Sequence, residues 1–412
     1  MYYKRLVDDK IKEILPKTGC VLITGPKFCG KTETASQIAK TTVLFEDPLL
    51  APEYIAKSKI NPFLLLEGEK PLLIDEWQDI PVVWDTIRTY VDRNKSIGEF
   101  IITGSTSRAN TQTKHTGAGR FAEIDMSVMS LYESMDSSGV VSLGDLFSQK
   151  EINGKNTTTL KDYARFIVRG GWPLRVITNN TKQSDLKLYL QKVIENDIAN
   201  YSSRKRNINI ANAALHSLAR NISSLVSLPT MLSDIEKIYK RISLNTLMDY
   251  LDILKKLKIY YEIPAYQRSF MSLSSATTSK KKELIDPSLA TILLGITENN
   301  IFNDMRMFGF LFESLAIRDL KIYIEHLGGS ISYFRDASGN EVDAIVQLDG
   351  KIGAIEIKLG SGFLEEAINN LNKIEKSFGR KFDFKAVING GNTIAKSLTD
   401  NIYIVPLTAL KP

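Results

Sequence analysis

The chain has 412 residues, of which 43% are hydrophobic and 24% charged, and its net charge is +6. This composition is typical of a soluble protein, the length predicts two to four domains, and the mild positive charge permits nucleic-acid binding without requiring it. No apolar run approaches the roughly 20 residues that cross a bilayer, and no signal core follows the first residues, so we expect a cytoplasmic protein without a membrane partner. Two cysteines and three scattered histidines argue against a disulfide framework and a zinc site.

The most informative segment is GPKFCGKT, residues 25–32, where two glycines are followed by a lysine and a hydroxyl residue. It matches a phosphate-binding loop, and it lies between an apolar run at 21–23 and a helix-compatible segment at 31–40. Lys31 is predicted to reach the β- and γ-phosphates, and Thr32 to bind Mg²⁺. The alternative is a glycine-rich turn that caps a helix. The predicted ATP site consists of Gly25, Pro26, Lys27, Phe28, Cys29, Gly30, Lys31, Thr32 and Glu33.

Two acidic residues, Asp75 and Glu76, follow the apolar run at 71–74. Continuous apolar strands are typical of parallel sheets covered on both faces, and ligands bind at the carboxyl ends of such strands. Asp75 is predicted to bind Mg²⁺, through water, alongside Thr32. Glu76 is placed to orient or deprotonate the attacking water and is, with Lys31, a predicted catalytic residue.

A second apolar strand, residues 100–103, leads into Gly104 and Ser105. If this strand lies between the other two, Thr103 or Ser105 points a hydroxyl toward the γ-phosphate; the alternative is a simple Gly-Ser turn. Strands at 42–47 and 121–124 would complete a five-stranded α/β sandwich. Arg120 is predicted either to neutralise charge on a γ-phosphate, its own or that of a neighbouring subunit in a homo-oligomer, or to be a surface arginine.

Five motifs together resemble the AAA-type ATPases of bacteria and archaea that carry a C-terminal domain of unknown function: GPKFCGKT, LLIDEWQDIP, FIITGS, GAGR and, at 170–173, GGWP. The resemblance spans nearly the whole chain and implies no established cellular role. It implies an α/β fold with ATP and Mg²⁺ as cofactors. The implied domains are a P-loop AAA-type ATPase sandwich with a parallel sheet at 1–155, a helical lid at 156–207, a winged helix at 208–290 and a C-terminal α/β restriction-endonuclease-like domain at 291–412.

The middle of the chain predicts three helices followed by a hairpin. Helices are expected at 211–220 and 231–239, and Ser243 is expected to cap a third whose leucines form one apolar stripe. Aromatic, extended residues follow from 259. This order is the winged-helix pattern, and Arg268 and the lysines at 280–282 could contact DNA phosphates. Because winged helices also dock proteins, DNA and a protein both remain possible partners.

Near the C-terminus, two alternating strands at 341–347 and 352–358 flank Asp349-Gly350, which signals a two-residue hairpin turn. This register places Asp343 opposite Glu356 and Glu341 opposite Lys358, on one side of the hairpin. Opposed carboxylates repel each other unless a cation lies between them. Two carboxylates and a lysine beside a divalent ion can hydrolyse a phosphodiester.

The spacing of Asp343 and the run Glu356-Ile357-Lys358 resembles the PD-(D/E)xK nucleases, with Val342 where their proline would be. The resemblance implies a possible nuclease Mg²⁺ bound by Asp343 and Glu356, joined by Glu313 from a helix. Three alternatives stay open: an intact metal site, a nuclease fold without cleavage activity, and a structural hairpin with a Glu341–Lys358 ion pair.

The sequence therefore predicts Mg²⁺-dependent ATP binding and hydrolysis coupled to DNA binding or processing. The first alternative is a nucleotide-gated protein-interaction switch with an inactive nuclease-like domain. The second is a Mg²⁺-dependent nuclease that the ATPase loads or gates.

Overall fold

The computed structural model describes residues 2–104, 117–199, 201, 206–267, 279–336, 339–397 and 401–412. The chain forms two compact units, one comprising Met1–Val128 and Lys256–Lys258 and the other comprising Met129–Lys255 and Ile259–Pro412. Within the described residues, no helix combines the length and apolar character needed to cross a lipid bilayer.

The first unit is built on a parallel five-stranded sheet. Its strands are β1 (Cys20–Thr24), β2 (Thr41–Leu44), β3 (Leu72–Asp75), β4 (Phe100–Gly104) and β5 (Phe121–Asp125). They follow the order β2-β3-β4-β1-β5, and each neighbouring pair is parallel. The β4 strand lies between β1 and β3, so the predicted arrangement is confirmed. Every residue of β1, β3 and β4 is buried, as expected for the central strands of a sheet covered on both faces.

The helices of this unit are α1 (Leu6–Ile14), α2 (Lys31–Ser36), α3 (Ala51–Ile60) and α4 (Val82–Asn94), with 3₁₀ turns at Leu15–Lys17, Pro62–Leu66 and Trp77–Asp79. The helix predicted at 31–40 is shorter than expected. Beyond Ser36 the N–H groups of Ile38 and Ala39 both bond to the carbonyl of Ala35, at 3.1 and 3.0 Å. This tight closure ends the helix and lets the chain enter β2 at Thr41.

The second unit contains the remaining helices. They are α5 (Leu143–Phe147), α6 (Leu160–Arg169), α7 (Pro173–Ile177), α8 (Ser184–Lys192), which continues as a π-helical turn at Val193–Ile198, α9 (Ile208–Arg220), α10 (Leu228–Ile238), α11 (Leu244–Lys256), α12 (Pro287–Leu294), α13 (Met305–His326) and α14 (Leu364–Phe378). Short 3₁₀ turns occur at Ile301–Asn303, Ser361–Phe363 and Leu407–Ala409. The three predicted helices of the middle segment are α9, α10 and α11.

The strands of the second unit form a mixed seven-stranded sheet and two small ribbons. They are β6 (Val141–Ser142), β7 (Gly154–Lys155), β8 (Tyr260–Ile263), β9 (Lys281–Leu284), β10 (Ser330–Arg335), β11 (Glu341–Leu348), β12 (Lys351–Lys358), β13 (Phe384–Asn389), β14 (Thr393–Lys396), β15 (Ile402–Pro406) and β16 (Leu410–Lys411). The large sheet has the order β10-β11-β12-β13-β15-β14-β7, while β8 pairs with β9 and β6 with β16.

Two predicted domain boundaries do not match these units. Residues 129–155, predicted to belong to the ATPase core, lie in the second unit, because β6 pairs with β16 and β7 pairs with β14. The boundary predicted between 290 and 291 cuts through α12. The first difference arises because β6 and β7, strands of two residues each, carry no periodicity that a sequence could reveal.

The GGWP motif is a structural junction inside the second unit. The N–H of Gly171 donates to Asp286 at 3.0 Å, and its carbonyl accepts from the N–H of Met129 at 2.7 Å. Arg318 donates to Asp286 and to Asp319, at 2.7 Å in each case, and all three side chains are at most 3% exposed. A Cβ on Gly171 would lie 2.0 Å from the carbonyl oxygen of Met129, so only glycine fits here.

Candidate functional site

The loop between β1 and α2 has the backbone geometry that the GPKFCGKT pattern predicts. Gly30 takes the left-handed conformation, with φ of 100°, directly before α2. A Cβ on Gly25 would lie 2.2 Å from the carbonyl oxygen of Met126. Both glycines are therefore required by the local backbone. Lys31 is 5% exposed and donates from Nζ to the carbonyls of Gly25 and Pro26, at 3.2 and 3.1 Å.

Arg5 supports this loop from the N-terminal segment, which sequence analysis did not identify. Its Nη1 donates to the carbonyl of Cys29 at 2.8 Å, and its Nη2 donates to the carbonyl of Ser127 at 2.9 Å. Its backbone N–H donates to Asp8 Oδ2 at 2.9 Å, which fixes the start of α1. An arginine outside any motif gives no sequence signal for such a contact.

Asp75, the last residue of β3, contacts Thr32 at the start of α2 and Thr103 on the neighbouring strand β4. The Thr32 hydroxyl donates to Asp75 Oδ1 at 2.8 Å, and the Thr103 hydroxyl donates to the same oxygen. This convergence follows from the register, since Ile74 pairs with Ile102 and the next residues are Asp75 and Thr103. Asp75 thus lies beside Thr32, and their binding of Mg²⁺ stays a prediction. Thr103 contacts Asp75, and the prediction that Thr103 or Ser105 points a hydroxyl toward the γ-phosphate also stays a prediction.

Glu76 is held next to Asp75 in a left-handed backbone conformation, with φ of 48°. Its N–H donates to Thr103 Oγ1 at 3.3 Å, and its carboxylate accepts from the Gln78 side chain. Burial raises the pKa of Glu76 above its ordinary value, while Lys31 and Gln78 act in the opposite direction. The role of Gln78 was not predicted, although it belongs to the DEWQ motif.

Thr32 and Asp75 fit a magnesium ion, because a hydroxyl and a carboxylate oxygen lie together at the edge of the loop and oxygen ligands are those Mg²⁺ prefers. The loop residues fit a triphosphate, because the positive φ of Gly25 and Gly30 lets the loop curl so that its backbone N–H groups can converge on a phosphate. Phe28 and Glu33 are the exposed members of the predicted set, and Phe28 is 76% exposed; Lys27, Gly30 and Thr32 are half-buried.

Arg120 does not lie with these residues. It precedes β5, and the carbonyl of Arg120 accepts from the N–H of Cys20 at the amino end of β1, opposite the loop. Its Nε donates to Asp92 at 2.7 Å on the surface. The interpretation that Arg120 contacts the γ-phosphate of its own subunit is therefore wrong; a role toward a neighbouring subunit stays a prediction. Ser105 lies outside the described residues.

A second group of ionisable residues, termed here the carboxylate centre, consists of Glu313, Asp343 and Glu356 with Lys281 and Lys358. The predicted register is present: Leu348 pairs with Lys351, and the ladder extends to Ala344 and Ile355, the residues beside Asp343 and Glu356. The turn residues Asp349 and Gly350 have φ of 48° and 78°, which confirms the two-residue hairpin.

The charges of the centre are paired within the protein. Lys358 Nζ lies 2.9 Å from Glu356 Oε2 and 4.0 Å from Asp343 Oδ2, so the predicted ion pair with Glu341 is replaced by contacts to these two residues. Lys281 forms an ion pair with Glu313. Burial, followed by the charge of Asp343, raises the pKa of Glu356 to about 8. Burial likewise raises the pKa of Glu313 above its ordinary value, although the charge of Lys281 opposes this effect.

This arrangement does not fit the predicted nuclease magnesium site. Among the residues that the structure describes, no three Asp, Glu, His or Cys side chains are grouped so as to hold a metal ion. The lysines predicted to contact DNA are also placed differently. Lys281 and Lys282 are buried, and Lys282 donates to the carbonyl of Val226 at 3.2 Å. Only Lys280 of the three is exposed; Arg268 lies outside the described residues.

Three protein-family models match successive parts of the chain. Residues 17–135 match an AAA domain. Residues 160–300 match a domain of unknown function, DUF8612, and residues 308–410 match another, DUF4143. The AAA match spans β1 to β5 and therefore includes Lys31, Asp75 and Glu76.

Individual proteins resemble parts of the chain. Uncharacterized proteins of Mycobacterium bovis and Mycobacterium tuberculosis are each 33% identical over 103 residues, which is 24% of this chain and 22% of each relative. A Walker-type ATPase of Pyrococcus abyssi is 13% identical, with a TM-score of 0.42 over 71% of this chain and 96% of that protein. A signal transduction ATPase with a tetratricopeptide repeat sensor from Pyrococcus horikoshii is 13% identical, with a TM-score of 0.27 over 79% and 47% of the two chains.

Proposed function

We propose that the first unit binds Mg²⁺-ATP at residues 25–32 and hydrolyses it. The observation that carries this proposal is the convergence of Thr32 and Thr103 on Asp75, at the carboxyl ends of adjacent parallel strands. Ligands of parallel α/β sheets bind at this end. The hydroxyl of Thr32 and the carboxylate of Asp75 would hold the metal, which on binding supplies positive charge to the transferring phosphoryl group.

Residues of the protein would bind the phosphates and activate the attacking water. Backbone N–H groups of the loop would bind phosphate oxygens, and Lys31 would exchange the carbonyls of Gly25 and Pro26 for the β- and γ-phosphates. Glu76 would orient and deprotonate the attacking water, and Gln78 holds its carboxylate in place. Thr103 joins both acidic residues, since it donates to Asp75 and accepts from the N–H of Glu76.

The test compares four variants in ATP binding and turnover. Lys31→Ala should lose ATP affinity, whereas Glu76→Gln should bind ATP and lose turnover by about 10²–10⁴-fold, the range for a general base. The matched controls are Lys40→Ala and Glu67→Gln, two exposed positions of the same unit, and both should retain the activity of the parent. Parent-like hydrolysis by Glu76→Gln would contradict the catalytic assignment, and absence of ATP binding by the parent would contradict the proposal as a whole.

We propose that nucleotide binding to the first unit controls how the second unit binds a partner. In the first version of this proposal it engages DNA through α9–α11 and the β8–β9 ribbon, which follow the order of a winged helix. Ser243 caps α11 as predicted, with its hydroxyl accepting from the N–H of Thr246 at 3.0 Å. The buried stripe of α11 includes Leu247, Leu251 and Leu254.

A specific observation favours the protein-interaction alternative. The outward side of α11, the helix that would enter a DNA groove, presents Leu244 and Met248, which are 42% and 48% exposed. Asp249 and Asp252 are also exposed on this helix. Carboxylates repel DNA phosphates, and exposed apolar side chains favour a protein surface. Of the two candidate functions, we therefore propose that the protein is a nucleotide-gated protein-interaction switch rather than a DNA-processing enzyme.

Titration with duplex and branched DNA at low salt, where phosphate contacts are strongest, separates the two versions. The switch predicts no affinity, with or without ATP. Binding that weakens with salt and is lost in variants of the second unit would instead support the DNA version. Divalent-metal-dependent cleavage of branched DNA that is abolished by Asp343→Asn would support the nuclease.

A further inference from the structure

We propose that Lys281 is the resident counter-ion of the carboxylate centre, so that this centre is balanced by lysines and takes no divalent cation. This inference concerns a site in the second unit and is independent of ATP hydrolysis. It explains why three carboxylates lie together in a protein interior, where unpaired charges are costly.

The placement of Lys281 is the main support. It belongs to β9, its side chain is 1% exposed, and it forms an ion pair with Glu313 of α13, whose side chain is 14% exposed. The ammonium group of Lys281 is therefore held inside the protein, beside a carboxylate of the centre.

Three further oxygens of the centre are engaged by other groups of the protein. Glu356 Oε1 accepts from Asn370 at 2.8 Å, and Glu356 Oε2 lies 2.9 Å from Lys358 Nζ. Asp343 Oδ2 accepts from the backbone N–H of Ile357 at 2.8 Å. A divalent cation bound by these oxygens would have to displace their present partners and would also meet two ammonium groups, which oppose its charge.

The centre is thus a set of buried ion pairs, and such pairs have a characteristic response to substitution. Removing one partner leaves an uncompensated buried charge and destabilises the fold strongly, whereas replacing both partners by apolar residues of similar size is nearly neutral. A metal site behaves differently, because its carboxylates depend on a bound cation rather than on a lysine.

The first experiment titrates nucleotide-free, full-length protein with Mn²⁺ by calorimetry. The parent, Asp343→Asn and the hairpin-turn control Asp349→Asn should give the same isotherm, because no Mn²⁺ enters the centre. A Mn²⁺ site that disappears in Asp343→Asn but persists in Asp349→Asn would overturn the proposal.

The second experiment measures urea midpoints for Lys281→Met, Glu313→Leu and the double variant, with the exposed neighbour Lys280→Met as control. Each single change at the ion pair should lower the midpoint, the double variant should recover most of the loss, and the control should match the parent. If Lys281→Met does not fold, the double variant still tests the proposal: a folded double variant would support it, and an unfolded one would overturn it. A Lys281→Met protein as stable as the parent, or a double variant no better than the single one, would overturn it.

ATP turnover of the parent, measured in parallel, keeps this inference separate from the proposed function. A parent without ATPase activity contradicts the proposed function alone, while the Mn²⁺ and urea results decide the role of Lys281 alone.

Discussion

Arg5 donates a hydrogen bond of 2.8 Å to the carbonyl oxygen of Cys29, in the phosphate-binding loop 24 residues away. The N–H of Gly30 belongs to the same planar peptide, so fixing the carbonyl on one side fixes the N–H on the other. Arg5 is thus a positioning residue for the loop.

We expect Arg5→Met to weaken ATP binding about tenfold, because a hydrogen bond from a charged donor contributes about 1.5–3 kcal/mol, and 1.4 kcal/mol is tenfold in affinity. Calorimetry with ATP and Mg²⁺ checks this expectation, with Lys4→Met, an exposed neighbour, as control. Arg5→Lys should recover part of the affinity. Unchanged affinity in a folded Arg5→Met protein would show that the loop is held without this contact.

Thr103→Val should lower kcat more than it raises KM. The substitution preserves the shape of the side chain but removes both the hydroxyl donor to Asp75 and the acceptor for the N–H of Glu76. We expect a loss of about 30-fold in kcat, as for two hydrogen bonds of about 1 kcal/mol each. Thr89→Val, which removes a hydroxyl bonded to a helix carbonyl in α4, is the control. If steady-state kinetics show a change in KM without a change in kcat, Thr103 does not position Asp75 and Glu76 for catalysis.

The pH dependence of kcat should identify Glu76. Burial raises its pKa above the ordinary 4.5, and the residue must be ionised to act on water. Activity should therefore fall as the pH decreases through this raised pKa, with an acidic limb above pH 4.5. The residual activity of Glu76→Gln should lack that limb. Asp79→Asn should keep it, although burial also raises the pKa of Asp79. An unchanged limb in Glu76→Gln would assign the ionisation to another group.

Glu356→Gln should reduce the loss of stability that occurs as the pH rises from 5 to 8. The pKa of Glu356 is about 8 in the folded protein and near the ordinary 4.5 in the unfolded chain. Between these values the folded state binds the extra proton, so its contribution to the free energy of unfolding falls as pH rises, by at most about 1.4 kcal/mol per pH unit. Urea unfolding from pH 5 to 8 should show a shallower slope in Glu356→Gln, whereas Glu366→Gln, at an exposed position, should follow the parent. Equal slopes in all three proteins would contradict the pKa assignment.

Alanine substitutions at two glycines of the second unit should change its stability in opposite directions. Gly171→Ala places a Cβ 2.0 Å from the Met129 carbonyl and should destabilise the unit by several kcal/mol or prevent folding. Gly309 lies within α13, and its Cβ would have open space, so Gly309→Ala should stabilise by about 0.5–1 kcal/mol. Thermal unfolding of both variants checks the pair, and a tolerated Gly171→Ala would refute the junction described for the GGWP motif.

Local patterns predicted much of the fold. The apolar runs before Gly25, Asp75 and Gly104 became adjacent parallel strands, because burial on both faces leaves a continuous apolar signature. Asp349-Gly350 fixed the hairpin register, since both residues adopt positive φ. From these two kinds of signal the neighbourhood of Thr32 and Asp75 and the approach of Asp343 to Glu356 could be predicted.

Contacts between distant segments could not be predicted in this way. The lysine run at 280–282 looks like a surface for phosphates, yet Lys281 is buried because Glu313 approaches it from α13. Arg120 looks like a phosphate ligand by composition, yet the parallel pairing of β1 with β5 places it at the far end of the sheet. In both cases a charged side chain is located by tertiary pairing rather than by its neighbours in sequence.

The ladder between β6 and β16 affects how this chain folds during its synthesis. The Ser137 hydroxyl donates to the carbonyl of Leu410, a residue translated 273 positions later. At about 5–20 residues per second, the ribosome needs about 14–55 s to supply that partner. Most of the nucleotide-binding unit, which extends to Val128, leaves the exit tunnel well before then, so it can acquire its ligand while the other half is still a nascent polypeptide.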